Sequence, residues 1–563
     1  MNQEKITNVI KNFDENYLYS LLGDLKDSLI EWTNTHRRPT KKNLAEIIWA
    51  INGFSLFDQE DFRCNFILSN EDDSFLKKVA QLCDVNYNGK TEEHIKLAKK
   101  FSLIAFGNQE IYRYIINEYL ENIDYQFKKN EKENPTELIK QTGKKFYELY
   151  DYQYMIKQQA MNDLSNKEKD LYRILIHMPT GTGKTKTTMH IISQYLNFVT
   201  KGKGLVIWVA HSNELLMQAY ETFQNVWSHL ATFDINIYKG WVNVPDVFND
   251  GILFISVKAL QEKYGKTVFK ELSNKASLIV FDEVHKAGAK ITSKCIDELM
   301  KGTNTYGKKL IGLTATPGRT TEMGRENLIF SESFDHIIGI DVDRINAISL
   351  SPDEVRNYSG SKEPIKYFQE NGYLAVMNKE LLNYEVDPEV VAELKKEFKS
   401  DKEKYSDKLI EKISLNISRN NKIIEKLQRL NDNKIPTIVF ACSLQHAKLL
   451  SAFLKLQNIQ NSLIYGEMST SDRIRAIDDF KNGVVNIIIN YEILTTGFDS
   501  TNIKCVFITS PTKSVIKYSQ MIGRGLRGPK MGGNKECLLI DVQENSLVYT
   551  ENKAFGHFDN YWN

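Results

Sequence analysis

No stretch of the chain stays apolar for the roughly 20 residues that a membrane-spanning helix requires. Cysteine is scarce. The six present, Cys64, Cys83, Cys295, Cys442, Cys505 and Cys537, form no CxxC pair, so neither a zinc site nor a disulfide framework is indicated. They read as small buried apolar residues in a reducing compartment. Charge of one sign is also missing: 73 Lys and Arg against 72 Asp and Glu leave +1. Any polyanion must then be held by local basic groups and backbone amides rather than by a global field. The first residues carry Glu4, Lys5, Lys11, Asp14 and Glu15 before any apolar run, unlike a secretory signal, and the expected location is cytoplasmic. A fixed-period repeat and a low-complexity tract are absent too.

At 563 residues the chain exceeds what one core can organise. Residues 1–140 read as a mostly helical accessory domain, with amphipathic segments at Asn16–Trp32, Lys42–Ile51 and Gln109–Ile123. A charged stretch, Lys128–Pro135, reads as a linker. Residues 141–335 then carry short apolar runs alternating with helical patterns: Arg173–His177, Leu205–Ala210, Ile252–Ser256, Leu278–Phe281 and Lys309–Leu313. Residues 336–415 read as a connecting, mostly helical region, and charged helical sequence extends to about 430. Within 416–563 a second strand series appears: Thr437–Phe440, Ser462–Ile464, Asn486–Ile489, Cys505–Ile508 and Cys537–Ile540. Strands alternating with helices imply parallel sheets covered on both faces, so the expected fold is α/β with two such domains.

The strongest local signal is Pro179-Thr180-Gly181-Thr182-Gly183-Lys184-Thr185, directly after an apolar strand and before a helical run. Glycines let the backbone wrap a phosphate, and the helix start offers free N–H groups. Lys184 reaches the β and γ phosphates, and the Thr185 hydroxyl ligates Mg²⁺. Met178 stands where the full P-loop consensus has its first glycine. Asp282-Glu283-Val284-His285 follows the strand Leu278–Phe281, so its carboxylates emerge where open α/β sheets place ligand chemistry. Asp282 suits Mg²⁺, Glu283 suits a general base for an attacking water, and His285 gains a coupling role only from this company.

With these residues in place, the chain from about 150 to 545 resembles the superfamily 2 helicases and translocases. The resemblance implies two tandem RecA-like domains sharing one ATP site. Gln153 resembles the adenine-reading glutamine, a part that Gln158 or Gln159 could also play. Ala210-His211-Ser212 with Glu214, and Ser256-Val257, resemble motifs that touch the nucleic-acid backbone. Thr314-Ala315-Thr316 resembles the coupling element. Ile438–Ser443 resembles a phosphate-contacting strand and loop, with Arg473 in the helix expected to follow. Thr495, Gly497 and Asp499 fall in a motif V-like segment.

Gln520-Met521-Ile522-Gly523-Arg524-Gly525-Leu526-Arg527 is similar to the arginine-finger motif. It implies that Arg524 and Arg527 reach the γ phosphate; their spacing also fits one face of a helix. The pattern is closer to restriction-enzyme motor subunits and to repair helicases of the RadD and XPB types than to RNA-remodelling DEAD-box enzymes. It therefore implies DNA rather than RNA, in a repair or phage-defence setting.

The segment from Pro364 to Ala375 reads either as the connecting region of that group or as a polar helix capped by Gly372. Asp58, Glu60, Asp61, Glu71, Asp72 and Asp73 form no nuclease pattern and read as solvated loops, leaving the first 140 residues to bind a protein partner or clamp duplex.

Overall fold

The computed structural model describes residues 3–33, 38–105, 109–120, 135–139, 148–166, 171–284, 290–301, 305–315, 333–349, 360, 363–398, 404–468, 470–494 and 502–548. The expected architecture is present: two parallel-sheet lobes of the RecA-like type behind a helical region. The first sheet is built from β1 (Thr136–Ile139), β2 (Leu171–His177), β3 (Leu205–Ala210), β4 (Ile235–Lys239), β5 (Gly251–Ser256), β6 (Ala276–Phe281), β7 (Lys308–Thr314) and β8 (His336–Ile338). Their order is β1-β4-β5-β3-β6-β7-β2-β8, parallel except for β1. Every residue of β3 and β6 is buried, as strands covered on both faces require.

The second sheet contains β9 (Val376–Leu382), β10 (Thr437–Phe440), β11 (Ser462–Ile464), β12 (Ile487–Asn490), β13 (Cys505–Ile508) and β14 (Glu536–Val542). Its order is β11-β12-β10-β13-β14-β9, all parallel. The structure differs here from the sequence reading. β9 lies in the segment read as connecting helix, yet it is an edge strand of the second sheet, and β8 closes the edge of the first. The segment from Pro364 to Ala375 is a helix, Pro364–Glu370, followed by Gly372 at φ +72° and a short backbone pairing with Arg527. The expected helix at Asn16–Trp32 is two, Glu15–Ser20 and Leu25–Thr33, broken where Gly23 takes φ +55°.

Side-chain alternation divides the second sheet between two cores. Val439, Ile487, Ile489, Cys505 and Phe507 face one cluster, and Ile438, Phe440, Ile488, Val506 and Ile508 face the other. The first of these cores is continuous with the N-terminal helices. Trp32 stacks on Phe453 with ring centroids 4.6 Å apart and donates from Nε1 to Asn421 at 2.8 Å. Tyr465 donates from its hydroxyl to the Ile51 carbonyl at 2.7 Å. The helical region is therefore fused to the second lobe. Glu71 and Asp72 lie in an exposed loop, as expected, with Asp72 capping the helix Asp73–Leu82, whereas Glu60 and Asp61 occupy the first turn of Glu60–Leu68 and Asp73 the first turn of its own helix. Five cysteines are buried and Cys64 is half-buried, all free.

Candidate active site between the lobes

β2 and β7 are neighbours in register, with His177 opposite Thr314, and β7 pairs with β6, so three strand ends open onto one edge. From β2 the chain turns through the P-loop into the helix Lys184–Gln194. Gly181 and Gly183 take φ +86° and +80°, which side chains disfavour. Thr182 Oγ donates to the Pro179 carbonyl at 2.7 Å and tightens the turn. Met178, at the missing consensus glycine, is fully buried and needs no positive φ. Its amide donates to Thr314 at 3.1 Å, and its carbonyl accepts from Lys184 Nζ at 3.3 Å. A side chain is tolerated there because it points into the core.

Asp282 and Glu283 follow β6. Asp282 is buried, and its amide donates to Val209 at 2.9 Å. Glu283 sits at φ +54° and brings Oε1 to 3.9 Å from Lys184 Nζ. A non-glycine residue in this region is a local cost that tends to be kept where function requires it. His177, beside them, is pushed down to about 4 by burial, so it stays neutral and donates from Nε2 to Ala315 at 3.2 Å.

Gln153 is fully buried; its Nε2 donates to Thr182 O at 3.0 Å and its Oε1 accepts from the Tyr150 amide at 3.1 Å. Its amide thus braces the P-loop. Around it Tyr150, Tyr152, Phe368 and Tyr373 interlock, with Tyr152 4.8 Å from Phe368 and 5.0 Å from Tyr373. Tyr150 also donates to Lys530 O of the second lobe at 2.5 Å.

The second lobe meets the P-loop directly. A methyl group on Gly181 would lie 3.8 Å from Leu526 Cβ and 3.9 Å from Arg527 Cγ. One on Gly523 would lie 2.4 Å from Thr180 Cγ2. The helix Val515–Ile522 stops at Gly523, so Arg524 and Arg527 lie in a turn and a short bridge, not on one helical face. Gln520 is buried, and its Nε2 has no hydrogen-bond partner among the described residues. Tyr518, on the same helix, donates to the fully buried Asp541 at 2.9 Å. Thr185 and Asp282 provide one hydroxyl and one carboxylate, a donor set that suits Mg²⁺, which fills its remaining positions from phosphate and water.

Ser212, Ser256 and Ser443 share a structural role: each is the N-cap of a helix that follows a strand, accepting from Leu215, Ala259 and His446 amides respectively. His211 packs edge-on to Phe281 at 5.8 Å. Thr314 is fully buried at the end of β7. His285, Thr316, Thr495, Gly497 and Asp499 lie outside the described residues.

Residues 146–319 match the family described as type III restriction enzyme, res subunit, and residues 418–528 match the helicase conserved C-terminal domain. The chain belongs to the superfamily 2 helicases. Within this superfamily it is 26% identical over 374 residues to a protein named as the mitochondrial ATP-dependent helicase irc3 of Schizosaccharomyces pombe, covering 66% of this chain and 53% of the relative. It is 24% identical over 427 residues to an Escherichia coli subunit of the type I restriction enzyme EcoAI endonuclease, covering 72% and 47%. The chain spans about half the length of these relatives. The solved structure titled S. cerevisiae Dbp5 bound to RNA and ADP BeF3 aligns with a TM-score of 0.45 at 14% identity, covering 72% of this chain and 87% of that one.

Two contributions escaped sequence reasoning: the aromatic group around Tyr150 and Tyr373, and the Asp541 anchor under the helix Val515–Ile522, which precedes Arg524 and Arg527. For the aromatic group the sequence signal is tyrosine beside glutamine or glycine, Tyr152-Gln153 and Gly372-Tyr373, which many loops share; Asp541, between Ile540 and Val542 in a strand, carries none.

Proposed function

We propose that this protein hydrolyses ATP in the cleft between its lobes and uses the cycle to move along DNA. The observation that carries the reading is that Lys184 and Glu283 lie 3.9 Å apart on one wall while Gly523 and Arg527 press on the P-loop from the other. Residues from both lobes can therefore grip one triphosphate.

In this reading Thr180–Thr185 cradle the phosphates, and Lys184 neutralises the β and γ oxygens. Glu283 takes a proton from the attacking water. Arg524 and Arg527 offset the charge that spreads over the transferring phosphoryl group, and Gln520 helps to orient the water. Mg²⁺, when bound, would supply charge neutralisation, with Thr185 and Asp282 as its holders; Gly497 and Asp499 join the nucleotide-binding residues. Once the γ phosphate leaves, nothing links the lobes through the nucleotide, and the closed state loses its advantage. His285, Thr314 and Thr316 carry that change to the strand-binding edge. There His211, Ser212, Ser256, Ser443 and Thr495 hold phosphates without reading bases. In this reading the protein works in the cytoplasm, and the N-terminal helices, which pack on the second lobe through Trp32 and Tyr465, move with it.

DNA as the track is supported by the restriction-enzyme character of the first lobe's family match. Relatives named as ATP-dependent RNA helicase DBP3 make RNA the competing track. The deciding experiment measures ATP hydrolysis with duplex DNA, single-stranded DNA and RNA, followed by ATP-dependent displacement of a third strand from a triplex. Stimulation by RNA alone overturns the DNA assignment. ATP binding without any stimulated turnover or displacement overturns the motor.

A further inference from the structure

At the strand ends of the second sheet lies a buried polar network that takes no part in the chemistry above. Arg419, on the helix Ile417–Asp432, is fully buried. Its Nε donates to the Glu544 carboxylate, its Nη2 donates to the Thr509 carbonyl, and the same nitrogen lies 3.7 Å from Cys442 Sγ. These partners follow three different strands: Cys442 follows β10, Thr509 follows β13 and Glu544 follows β14. A planar guanidinium fixes the directions of its partners as well as balancing their charge.

The Cys442 amide donates to His446 Nδ1 at 3.2 Å, so that nitrogen carries no proton; Nε2 is then the protonated one and donates to Asn420 Oδ1 at 3.1 Å. Burial, and after it the Arg419 charge, hold this imidazole neutral. The loop 441–443 is thereby gripped by its thiol and its amide. It ends at Ser443, the half-buried cap of the helix Leu444–Leu456.

The network continues away from that loop. Asn545, next to Glu544, donates to Asp541 at 2.7 Å and to the Ser510 carbonyl at 3.3 Å, and accepts from the Thr512 amide at 3.1 Å. Asp541 holds the Tyr518 hydroxyl, and Thr512 accepts from the amide of Ser514, the cap of the helix Val515–Ile522, at 3.2 Å. Arg419, Asn420, His446, Asp541 and Glu544 are all 0% exposed. One end of this chain of bonds is the loop of Ser443, and the other is the helix that precedes Arg524 and Arg527. Stability alone does not require it. Apolar residues of similar volume often replace a buried ion pair without loss, whereas bonded polar groups fix one arrangement of the elements that share them.

We propose that Arg419 is a positioning residue: it sets the loop 441–443 for contact with a nucleic-acid backbone and, through Glu544 and Asn545, keeps the helix Val515–Ile522 in register with that loop. This rests on the nucleic-acid reading above. Strand contact and arginine presentation are then properties of one rigid unit, and loosening the unit weakens both.

Two variants remove the geometry without stranding a charge. Arg419→Lys keeps a positive partner for Glu544 but loses the fork that reaches three strand ends. Arg419→Met combined with Glu544→Leu removes both charges and keeps the volume filled. Fluorescence anisotropy with labelled duplex DNA, single-stranded DNA and RNA gives Kd, and steady-state hydrolysis at saturating strand gives the maximal turnover. Both variants should melt cooperatively and bind a fluorescent ATP analogue with parental affinity. Strand Kd should rise about tenfold, the worth of one hydrogen bond to a charged group, and maximal turnover should fall by about one to two orders of magnitude. A merely structural pair predicts the opposite, with Arg419→Lys restoring parental Kd and turnover through its charge. Parental Kd in the folded variants overturns the role at the loop, and parental maximal turnover overturns the link to the helix. If neither variant folds, Arg419 serves folding and not positioning. A parent protein that no strand binds or stimulates overturns the nucleic-acid reading instead.

Discussion

Gly523→Ala is the substitution for which the cleft geometry makes the sharpest demand. An alanine methyl there would lie 2.4 Å from Thr180 Cγ2, 2.8 Å from Thr180 Cβ and 3.2 Å from Ser519 O. Carbon atoms in contact settle at about 3.5–4.0 Å. Rotating the Thr180 side chain can remove Cγ2 but not Cβ, so the backbones must part by roughly 1 Å along that line. The φ of Gly523 is −53°, an ordinary value for any residue, so the effect is steric rather than conformational. Thr180 and Gly523 themselves belong to neither core. A displacement of about 1 Å between reacting groups costs on the order of 10²-fold in rate. Steady-state ATP hydrolysis at saturating nucleic acid should accordingly fall by one to two orders of magnitude, while a fluorescent ATP analogue still binds and the thermal midpoint is nearly unchanged. Adding Thr180→Ser, which deletes the nearer methyl, should restore part of the loss. A folded Gly523→Ala protein with parental turnover would show that this apposition of the lobes is not the catalytic one.

Lys184→Ala should weaken nucleotide binding, whereas Glu283→Gln should keep it and lower turnover by about 10²–10⁴-fold, checked by titration and by steady-state hydrolysis; parental turnover in Glu283→Gln removes that residue as base. Trp32→Ala deletes a buried stack between the N-terminal helices and the second lobe and should cost about 3–5 kcal/mol, seen as a lower melting midpoint and earlier proteolysis before residue 120; an unchanged melt refutes the fused core. Burial pushes the Asp541 carboxyl up to about 7, against hydrogen bonds from Asn545 and Tyr518. Its folded value lies above the unfolded one, so its contribution is complete below about pH 4 and is lost as pH rises through 7. Asp541→Asn should flatten the decline of the melting midpoint between about pH 4 and 7, and an unaltered decline assigns the effect to another group.

The strands read from the sequence are those whose residues are apolar without interruption, such as Leu205–Ala210 and Cys505–Ile508, because both faces of a central parallel strand are covered. The strands it missed lie toward the sheet edges. β9, Val-Met-Asn-Lys-Glu-Leu-Leu, is exposed at Val376 and Leu381, so its composition resembles a charged helix. β4 alternates polar and apolar residues, β1 and β8 are four and three residues long, and only a neighbour's backbone makes them strands.

The P-loop and Asp282-Glu283 could be found because each is contiguous and ends a strand, so local spacing already carries the chemistry. Pairs made across the fold left no such trace. Glu214 and Arg473 stand 259 positions apart, and Trp32 and Asn421 stand 389 apart. The sequence by itself determined the central strands of both lobes and the glycine-rich turn after β2, since hydrophobic period and glycine placement act over a few residues. Only the tertiary structure decided that Gly523 seats on Thr180, that Arg473 meets Glu214 and that the N-terminal helices share the second lobe's core. Those contacts depend on shape and distance between segments that no local pattern relates.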